Sequence, residues 1–480
     1  TLLFCVVPAF FINANSFEPD VPFLAFWMAS IALFASKRYA WSFVAMALAS
    51  LEAYQAVFLT PILLAYLAIY IAQWRRPGLP AGRAWRKPLP LLALAPILVL
   101  LAVQLFERFS TGAVPAAVLS SYFTHYGFQA LAHKLSSALA LTIHLCFIVC
   151  PILIPGAALL AWRDRRNPDT RFLLAWIGLF FVGAVIVFFS GSARYLLPIA
   201  APVAILASRQ SPRWLAAGFT IQLLIAAALT FENYDHWDAY RSLAPTIMRL
   251  SNGHRVWVNG EWGFRYYLEQ AGALPLTKAQ KLRPGDLVAA SALGQSVSVT
   301  DPATSILQVD VRSAVPVRIL GLTGHSGFSD ASAGYWPFGI SNGPIDRVTA
   351  STVGERHITL EMLPTDAPEA REQIINGIYP DRWMTGDAIV ALKSPAGPRK
   401  LRLSFYIPNA TPARTVTLKL DGAPVATQTF SDPGAHTLDS APVHPDARTA
   451  TIEILITPTF RAPGDQRDLG AVVTSIGFVP

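Results

Sequence analysis

Charged residues are scarce in this chain: they make up 14% of its 480 residues, whereas apolar residues make up 53%. A water-soluble protein carries roughly 25% charged residues, so the shortage argues against an ordinary soluble enzyme. Cysteine is nearly absent too. Its three positions (Cys5, Cys146 and Cys150) all lie in apolar stretches. That usage excludes a disulfide-stapled scaffold and a cysteine-ligated zinc site.

Acidic residues are few in the first half of the chain. Residues 1–234 hold 7 Asp/Glu against 16 Lys/Arg, a net charge of +9, whereas the remainder holds 23 and 22, a net charge of −1. The basic surplus therefore belongs to the apolar half, where Lys and Arg set membrane orientation. It is not a nucleic-acid footprint, and we expect no nucleic-acid partner.

The first residues of the sequence are not expected to be a signal peptide. It opens with Thr1 inside an apolar run, without Met, a basic segment or a cleavage motif. We interpret the sequence as a fragment whose first spanning segment is cut. An internal repeat is also missing, and no second ionisable residue lies one turn from His144. These absences weaken the hypothesis that the protein is a lipid or glycan transporter.

Apolar runs dominate the first half, and a spanning helix needs about 20 apolar residues. The predicted spans are 1–12, 21–36, 40–51, 56–72, 89–105, 136–162, 172–190, 194–207 and 213–230. Alternate loops between them carry thirteen basic residues on one side, whereas the other side has Arg108, Lys134 and Arg194. The positive-inside rule then predicts a multi-pass plasma-membrane protein with a helical hairpin turning near Glu52 and everything after 231 outside.

Ionisable residues gather in the predicted outer loops, at helix ends near the water boundary. They are Glu18, Asp20, Glu52, Glu107, His125, His133, Lys134 and Arg194. Such a cluster suits the charged headgroup of a lipid, whose acyl part stays in the bilayer while its phosphate meets Arg or Lys. For any single residue, simple solvation at a helix end remains the commoner explanation.

Two short segments of this cluster carry the most information. Residues 15–22 place Glu18 and Asp20 directly before a span, with prolines at 19 and 22. An acidic residue suits the helix dipole there, and a simple N-cap by Asp20 is the alternative. Residues 190–198 hold Arg194 in a tight turn between two spans. A buried Arg needs an anionic partner such as phosphate, and snorkelling to ordinary lipid headgroups is the alternative.

The polar half predicts two outward-facing units. Residues 237–300 alternate helix and strand, with Asn259–Gly263 at a strand-to-helix turn and no dinucleotide fingerprint. A Gly-rich aromatic stretch, 327–343, is expected to lie near the membrane surface. From 371 onward, short β-branched runs and the Asp421–Gly422 turn predict an all-β sandwich of jelly-roll type.

The combination predicts a multi-domain fold: a polytopic helical membrane domain (1–232), a small α/β domain (233–370) and a β-sandwich (371–480). Residues 1–232 resemble the polytopic GT-C glycosyltransferases, in the bacterial branch akin to protein O-mannosyltransferases and the aminoarabinose transferase of lipid A. The resemblance rests on the order of Glu18–Pro22, Phe23–Phe34, Ala47–Tyr70 and Gly191–Pro198.

The resemblance implies transfer of a sugar from a polyprenyl-phosphate donor to a lipid, glycan or protein acceptor outside the membrane, with inversion. Asp20 matches the acidic residue of the family's x-Asp-x-Pro step, and Arg194 and Tyr195 match its Arg-Tyr-x-x-Pro turn near the donor phosphate. The family's principal catalytic Asp is expected upstream of Thr1. Relatives often carry Lys where this chain has Leu51–Gln55, which puts a catalytic role for Glu52 in doubt.

We therefore predict Asp20 and Glu18 as catalytic, and Arg194, Tyr195 and Lys134 as donor-phosphate ligands. Three further residues are predicted to recognise the acceptor or sugar: Glu52, Gln55 and His125. We expect no cofactor and no metal, since the sequence shows no compact ligand set. The alternative hypothesis is a non-catalytic membrane anchor that displays a glycan-binding sandwich.

Overall fold

A computed structural model gives the fold of the chain. It describes all residues except 15–18, 75–88, 113, 115–133, 188–191, 278–279, 281, 296, 300, 330–333, 409–412, 446 and 462–466. Among the predicted site residues, Glu18 and His125 lie outside the described residues.

The first half of the chain is helical, as its apolar runs predict. Its helices are α1 (Leu2–Cys5), α2 (Pro8–Asn13), α3 (Asp20–Ala35), α4 (Tyr39–Glu52), α5 (Leu59–Trp74), α6 (Leu89–Ala93), α7 (Ala95–Thr111), α8 (Lys134–Cys146), α9 (Ile154–Arg163), α10 (Pro168–Val187), α11 (Leu197–Ala207) and α12 (Pro212–Leu250). Short 3₁₀ turns precede three of them, at Tyr54–Phe58, Pro151–Leu153 and Arg194–Leu196.

Two described helices are long and apolar enough to cross a membrane, α12 and, through Ile186, α10. A third span is possible if α8 and the segment Pro151–Arg163 count together, although the two are bent by 85°. The predicted straight span 136–162 is therefore interrupted. Pro151 explains the break, because proline lacks an amide hydrogen and disfavours helix in the residue before it. Cys150 is accordingly extended, with φ −168° and ψ 133°.

The break predicted near Glu52 is present. Helix α4 ends at Glu52, and Ala53 is extended, with φ −154° and ψ 143°, before the chain turns into α5. The helices share one apolar core in which aromatic rings meet edge to face. The fully buried Trp27 lies 5.5 Å from the Phe180 ring, which lies 5.4 Å from the Phe58 ring.

The second half is rich in strands. They are β1 (Val256–Asn259), β2 (Leu274–Pro275), β3 (Leu287–Ser291), β4 (Ala303–Val311), β5 (Val317–Arg318), β6 (Gly339–Ile340), β7 (Asp346–Val353), β8 (Met362–Pro364), β9 (Ile374–Ile378), β10 (Met384–Lys393), β11 (Arg399–Ile407), β12 (Arg414–Leu420), β13 (Ala423–Phe430), β14 (Gly434–Val443), β15 (Thr449–Thr457) and β16 (Val472–Val479). Two helices lie among them, α13 (Trp262–Gln270) and α14 (Ala370–Gln373).

The strands form several sheets. A mixed sheet has the order β2-β1-β3-β7-β4, with β1 parallel to β2 and β3, and β7 antiparallel to β3. Two further sheets, β13-β12-β15-β10-β9 and β14-β11-β16-β8, contribute to one buried apolar cluster. Alternation produces this core: β12 and β15 each bury every second residue.

The chain divides into two compact units. The helical unit contains Thr1–Tyr240 and Asp310–Arg347, and the strand unit contains Arg241–Val309 and Val348–Pro480. A stretch of the polar half, which includes the Gly-rich aromatic segment, thus belongs to the helical unit. The three predicted segments (1–232, 233–370 and 371–480) stay a prediction about independently folding domains.

Candidate active site

Asp20 stands at the first turn of α3. Pro19 occupies the N-cap position with φ −68°, and Asp20 is the first helical residue rather than the cap itself. The carboxylate therefore lies where the positive end of the helix dipole favours an anion. Proline is well suited to such a helix start because its φ is already close to the helical value.

Arg194 begins the 3₁₀ turn that leads into α11, where Pro198 again occupies the first helical turn. Its Nη1 lies 3.6 Å from Asp20 Oδ2, and the two side chains are 25% and 16% exposed. The guanidinium also lies 5.6 Å from the Tyr195 ring centroid. The structure thus brings together Asp20, Arg194 and Tyr195, three of the predicted site residues.

The separation of 3.6 Å makes this contact an ion pair but leaves it longer than a hydrogen bond. Two unit charges about 4 Å apart attract by about 4 kcal/mol at an effective dielectric constant near 20, before dehydration is counted. Removing two charges from water costs a similar amount, so the pair adds little to stability. What it provides is a proton acceptor and a cation beside each other.

A segment from the polar half packs against the turn that carries Arg194. Ser192 Oγ donates a hydrogen bond to Phe328 O at 2.6 Å, and the Ala193 amide donates to the same oxygen at 3.1 Å. The Phe147 ring lies 5.6 Å from Trp336 and 5.5 Å from Phe338. These contacts hold part of the Gly-rich aromatic segment against the helices, and its position near the membrane surface stays a prediction.

His144 lies beneath the same segment. The imidazole is 2% exposed, and an added Cβ at Gly327 would stand 2.8 Å from its Nε2. His144 and Phe328 help to line a cavity of about 20 Å³, which is space for about one water molecule. The imidazole is therefore buried within the helical unit.

Two buried charged residues were not identified from the sequence. Glu232 is 1% exposed, and its Oε2 accepts the Ile319 amide at 3.2 Å. Arg318 is also 1% exposed and binds backbone groups within residues 315–343. Its Nη1 donates to the carbonyls of Val315 and Val317 at 2.6 and 2.7 Å, and its Nη2 donates to the carbonyl of Gly343 at 2.9 Å.

A hydrogen-bonded chain of side chains lies further along α12. His236 Nε2 and the Tyr240 hydroxyl are 2.7 Å apart, and that hydroxyl donates to Asp346 Oδ2 at 2.6 Å. All three residues are buried. The sequence signal for this group was weak, since Asp346 is far from the helix in sequence and only folding shows which carboxylate pairs.

Three other predicted site residues, Lys134, Glu52 and Gln55, lie among the described residues of the helical unit. Lys134 starts α8 and donates a hydrogen bond to Ile186 O, near the end of α10, at 3.1 Å. Glu52 is the exposed last residue of α4, and Gln55 lies in the following 3₁₀ turn. Their roles in phosphate binding and recognition stay predictions.

Across the part of the chain that the structure describes, no three His, Cys, Asp or Glu side chains are grouped so that they could hold a metal ion. An apolar groove of about 710 Å³ is lined by Met28, Phe219 and Ser208, among others. Ser208 directly follows the last residue of α11, whereas Arg194 precedes the first residue of that helix. The groove is therefore at the other end of α11, and we do not assign it to the binding of a lipid headgroup beside Arg194.

Comparisons with known proteins give little. No protein-family model matches the chain, and no curated protein matches it. Among solved structures, the arabinosyltransferase EmbB from Mycobacterium smegmatis is 13% identical over 99% of this chain and 53% of its own, with a TM-score of 0.21. The insecticidal delta-endotoxin Cry8Ea1 from Bacillus thuringiensis is 13% identical over 28% of each chain, with a TM-score of 0.18.

A third similar structure is the exo-beta-1,3-galactanase from Phanerochaete chrysosporium, 12% identical over 27% of this chain and 30% of its own, with a TM-score of 0.17. The chain thus spans about half the length of EmbB and under a third of the other two. TM-scores this low carry no argument about fold or function. The comparisons therefore show a weak overall similarity to one membrane arabinosyltransferase.

Proposed function

We propose that the chain is a membrane glycosyltransferase of the GT-C type. It transfers a sugar from a polyprenyl-phosphate donor to an acceptor hydroxyl at the outer face of the plasma membrane. In this proposal the two antiparallel sheets of the strand unit form the predicted β-sandwich outside the membrane. The observation that carries the proposal is the half-buried pair of Asp20 and Arg194, 3.6 Å apart.

The pair has the two functions that such a transfer needs. The acceptor oxygen forms a bond to the anomeric carbon of the sugar while the bond from that carbon to the phosphate oxygen breaks. The acceptor proton passes to a carboxylate, and the bond electrons leave with the polyprenyl phosphate. A carboxylate base and a cation at the leaving phosphate both lower this barrier.

Arg194 is suited to the donor phosphate because its guanidinium presents five N–H donors in a planar fork. Its longer-than-hydrogen-bond contact with Asp20 lets an incoming phosphate compete for the same cation. Asp20 then lies beside the phosphate and within reach of an acceptor hydroxyl. A single displacement at the anomeric carbon inverts its configuration.

The experiment measures sugar transfer by the full-length protein in proteoliposomes. The donors are radiolabelled decaprenyl-phosphate arabinose and decaprenyl-phosphate mannose. The acceptors are membrane lipids and glycans extracted from the producing cells. Asp20→Asn and Arg194→Gln should each lower transfer by at least about 100-fold. A matched control exists in the same unit, where Arg209 Nη1 lies 3.1 Å from Asp164 Oδ2. Asp164→Asn and Arg209→Gln should retain transfer within a few-fold. Wild-type transfer rates in Asp20→Asn would refute the assignment.

A further inference from the structure

The mixed sheet of the strand unit has two unlike faces. Register places Asn259 of β1 beside Ala290 of β3, and Ala290 beside Thr349 of β7, so these three share one face. The opposite face is fully apolar at the sheet centre, where Val258 and Ala289 are 2% and 0% exposed. The face with Asn259 carries small and polar side chains at this end of the sheet, whereas two residues along the strands it carries Trp257 and Val288, each 5% exposed.

The polar face opens into a groove of about 460 Å³. Ala290 and Ala303 form part of its lining, and their short side chains leave room above the strands. Hydroxyl and amide groups are contributed among others by Gln295, Thr349 and Ser351, and apolar surface is contributed by Val288, Val297 and Val299. The volume falls within the range of about 300–1,000 Å³ that small-ligand pockets occupy.

The wall of the groove is held in place by paired hydrogen bonds. The buried Asn259 donates through Nδ2 to Val297 O at 2.7 Å and accepts the Val297 amide on Oδ1 at 3.1 Å. Asp301 accepts from Arg356 Nη2 at 2.6 Å and from Nε at 2.8 Å. Both partners are less than one-fifth exposed, so this wall is formed before a ligand arrives.

The charge balance of the groove selects the chemistry of its ligand. Asp301 is the charged member of its described lining, and Arg356 already neutralises it. An anionic or cationic ligand would therefore find no counter-charge there. A neutral molecule with many hydroxyl groups can exchange hydrogen bonds with Thr349, Ser351 and Gln295, and a site built from such groups discriminates strongly for hydroxyls.

An exposed aromatic side chain follows β1 closely in sequence, although it is not among the described residues that line the groove. Trp262 starts the helix that follows β1, three residues after Asn259, and is 57% exposed. Its φ of 53° lies in the left-handed region, which is an outlier for a bulky residue. Such strain concentrates at ligand sites. An exposed indole offers a flat apolar surface for the C–H face of a sugar ring.

We propose that this groove binds a neutral oligosaccharide, with Thr349 and Ser351 as hydrogen-bonding residues and Trp262 as the stacking surface. The proposal concerns a second site, distinct from the sugar-transfer chemistry in the helical unit. It also differs from glycan binding by the β-sandwich, because the groove lies on the mixed sheet.

The test is binding of neutral trisaccharides (mannotriose, arabinotriose, galactotriose and maltotriose) to the purified full-length protein in detergent, measured by saturation-transfer NMR and calorimetry. At least one should bind. Thr349→Val should weaken that binding about fivefold, and the Thr349→Val/Ser351→Ala double variant about 25-fold, since each lost hydrogen bond is worth about a factor of five. Trp262→Ala should weaken binding by a similar or larger factor.

Thr352→Val is the matched control, because Thr352 pairs with Leu287 on the opposite face of the same strand. It should leave binding unchanged. Ala303→Leu, at an exposed position that needs no refolding, should block the groove. The proposal is overturned if no trisaccharide binds, or if a peptide binds in the groove instead. It is also overturned if affinity is unchanged in all four groove variants, which are Thr349→Val, Thr349→Val/Ser351→Ala, Trp262→Ala and Ala303→Leu. The Asp20→Asn variant should bind the trisaccharide with wild-type affinity. The binding test therefore remains valid even if the proposed sugar transfer is disproved.

Discussion

Replacing Gly327 by alanine should detach the aromatic segment from the Arg194 turn. An added Cβ at Gly327 would penetrate the Gly334 carbonyl oxygen and stand 2.8 Å from His144 Nε2. The first obstacle is backbone, which cannot rotate away as a flexible side chain can. The neighbouring residue Phe328 supplies the carbonyl that binds Ser192 and Ala193, so displacement of Gly327 strains those two hydrogen bonds as well.

The magnitude follows from the cost of overpacking. One extra methyl group in a filled site costs about 1–3 kcal/mol. Because each 1.4 kcal/mol is a factor of ten, the undocked state should become about 5- to 150-fold more populated. Local opening of this kind is visible as faster amide exchange without loss of the global fold.

Hydrogen-exchange mass spectrometry on the full-length protein measures this directly. Peptides covering Ser326–Phe328 and Gly334–Phe338 should exchange faster in Gly327→Ala by that factor. Gly178→Ala is the control, since nothing lies within 4 Å of an added Cβ there and alanine favours a helix. Exchange rates in Gly327→Ala that equal those of the wild type would refute the packing argument.

Two further predictions concern buried charges. Arg318→Met should destabilise its segment by about 3 kcal/mol, because three partly buried carbonyl oxygens lose their donors. Rapid proteolysis of residues 315–343 is the readout, and unchanged protease resistance contradicts the prediction. In the strand unit, burial raises the pKa of Asp286, but hydrogen bonds from the Arg255 side chain, the Arg283 amide and the Trp257 indole outweigh it and hold the pKa below 3.8. Since folding lowers this pKa, the stabilisation is complete above about pH 4 and is lost as the pH falls further. The urea midpoint of unfolding should therefore fall between pH 5 and pH 3, and it should fall less steeply in Asp286→Asn. Equal pH dependence of the midpoint in the two proteins would contradict this role of Asp286.

The positions of helices and core strands follow from the sequence because periodicity and proline carry the information locally. The end of α4 at Glu52 and the strand-rich character of the chain after residue 371 are confirmed. The bend at Pro151 was missed, since an apolar run of sufficient length conceals a break. Strand β7 was not predicted, because it opens with Asp346 and Arg347, which do not fit an apolar strand pattern.

The candidate site was predictable in its residue types but not in its contacts. Helix-end position and proline spacing pointed to Asp20 and Arg194, and no local pattern could give their separation of 3.6 Å. Glu232 escaped attention because its partner is the backbone amide of Ile319 in a distant segment, and Arg318 because its partners are backbone carbonyls of its own segment. Backbone partners leave no signature in side-chain identity, so such residues are found only once the chain is folded.

The central claim is that Asp20 receives the acceptor proton while Arg194 holds the donor phosphate, and steady-state kinetics with decaprenyl-phosphate sugar as the varied substrate tests it most directly. Asp20→Asn should lower kcat by at least about 100-fold with the donor KM within a few-fold of the wild type. Arg194→Gln should raise the donor KM as well as lower kcat. A variant of Asp20 with wild-type kcat and a raised donor KM would contradict the account.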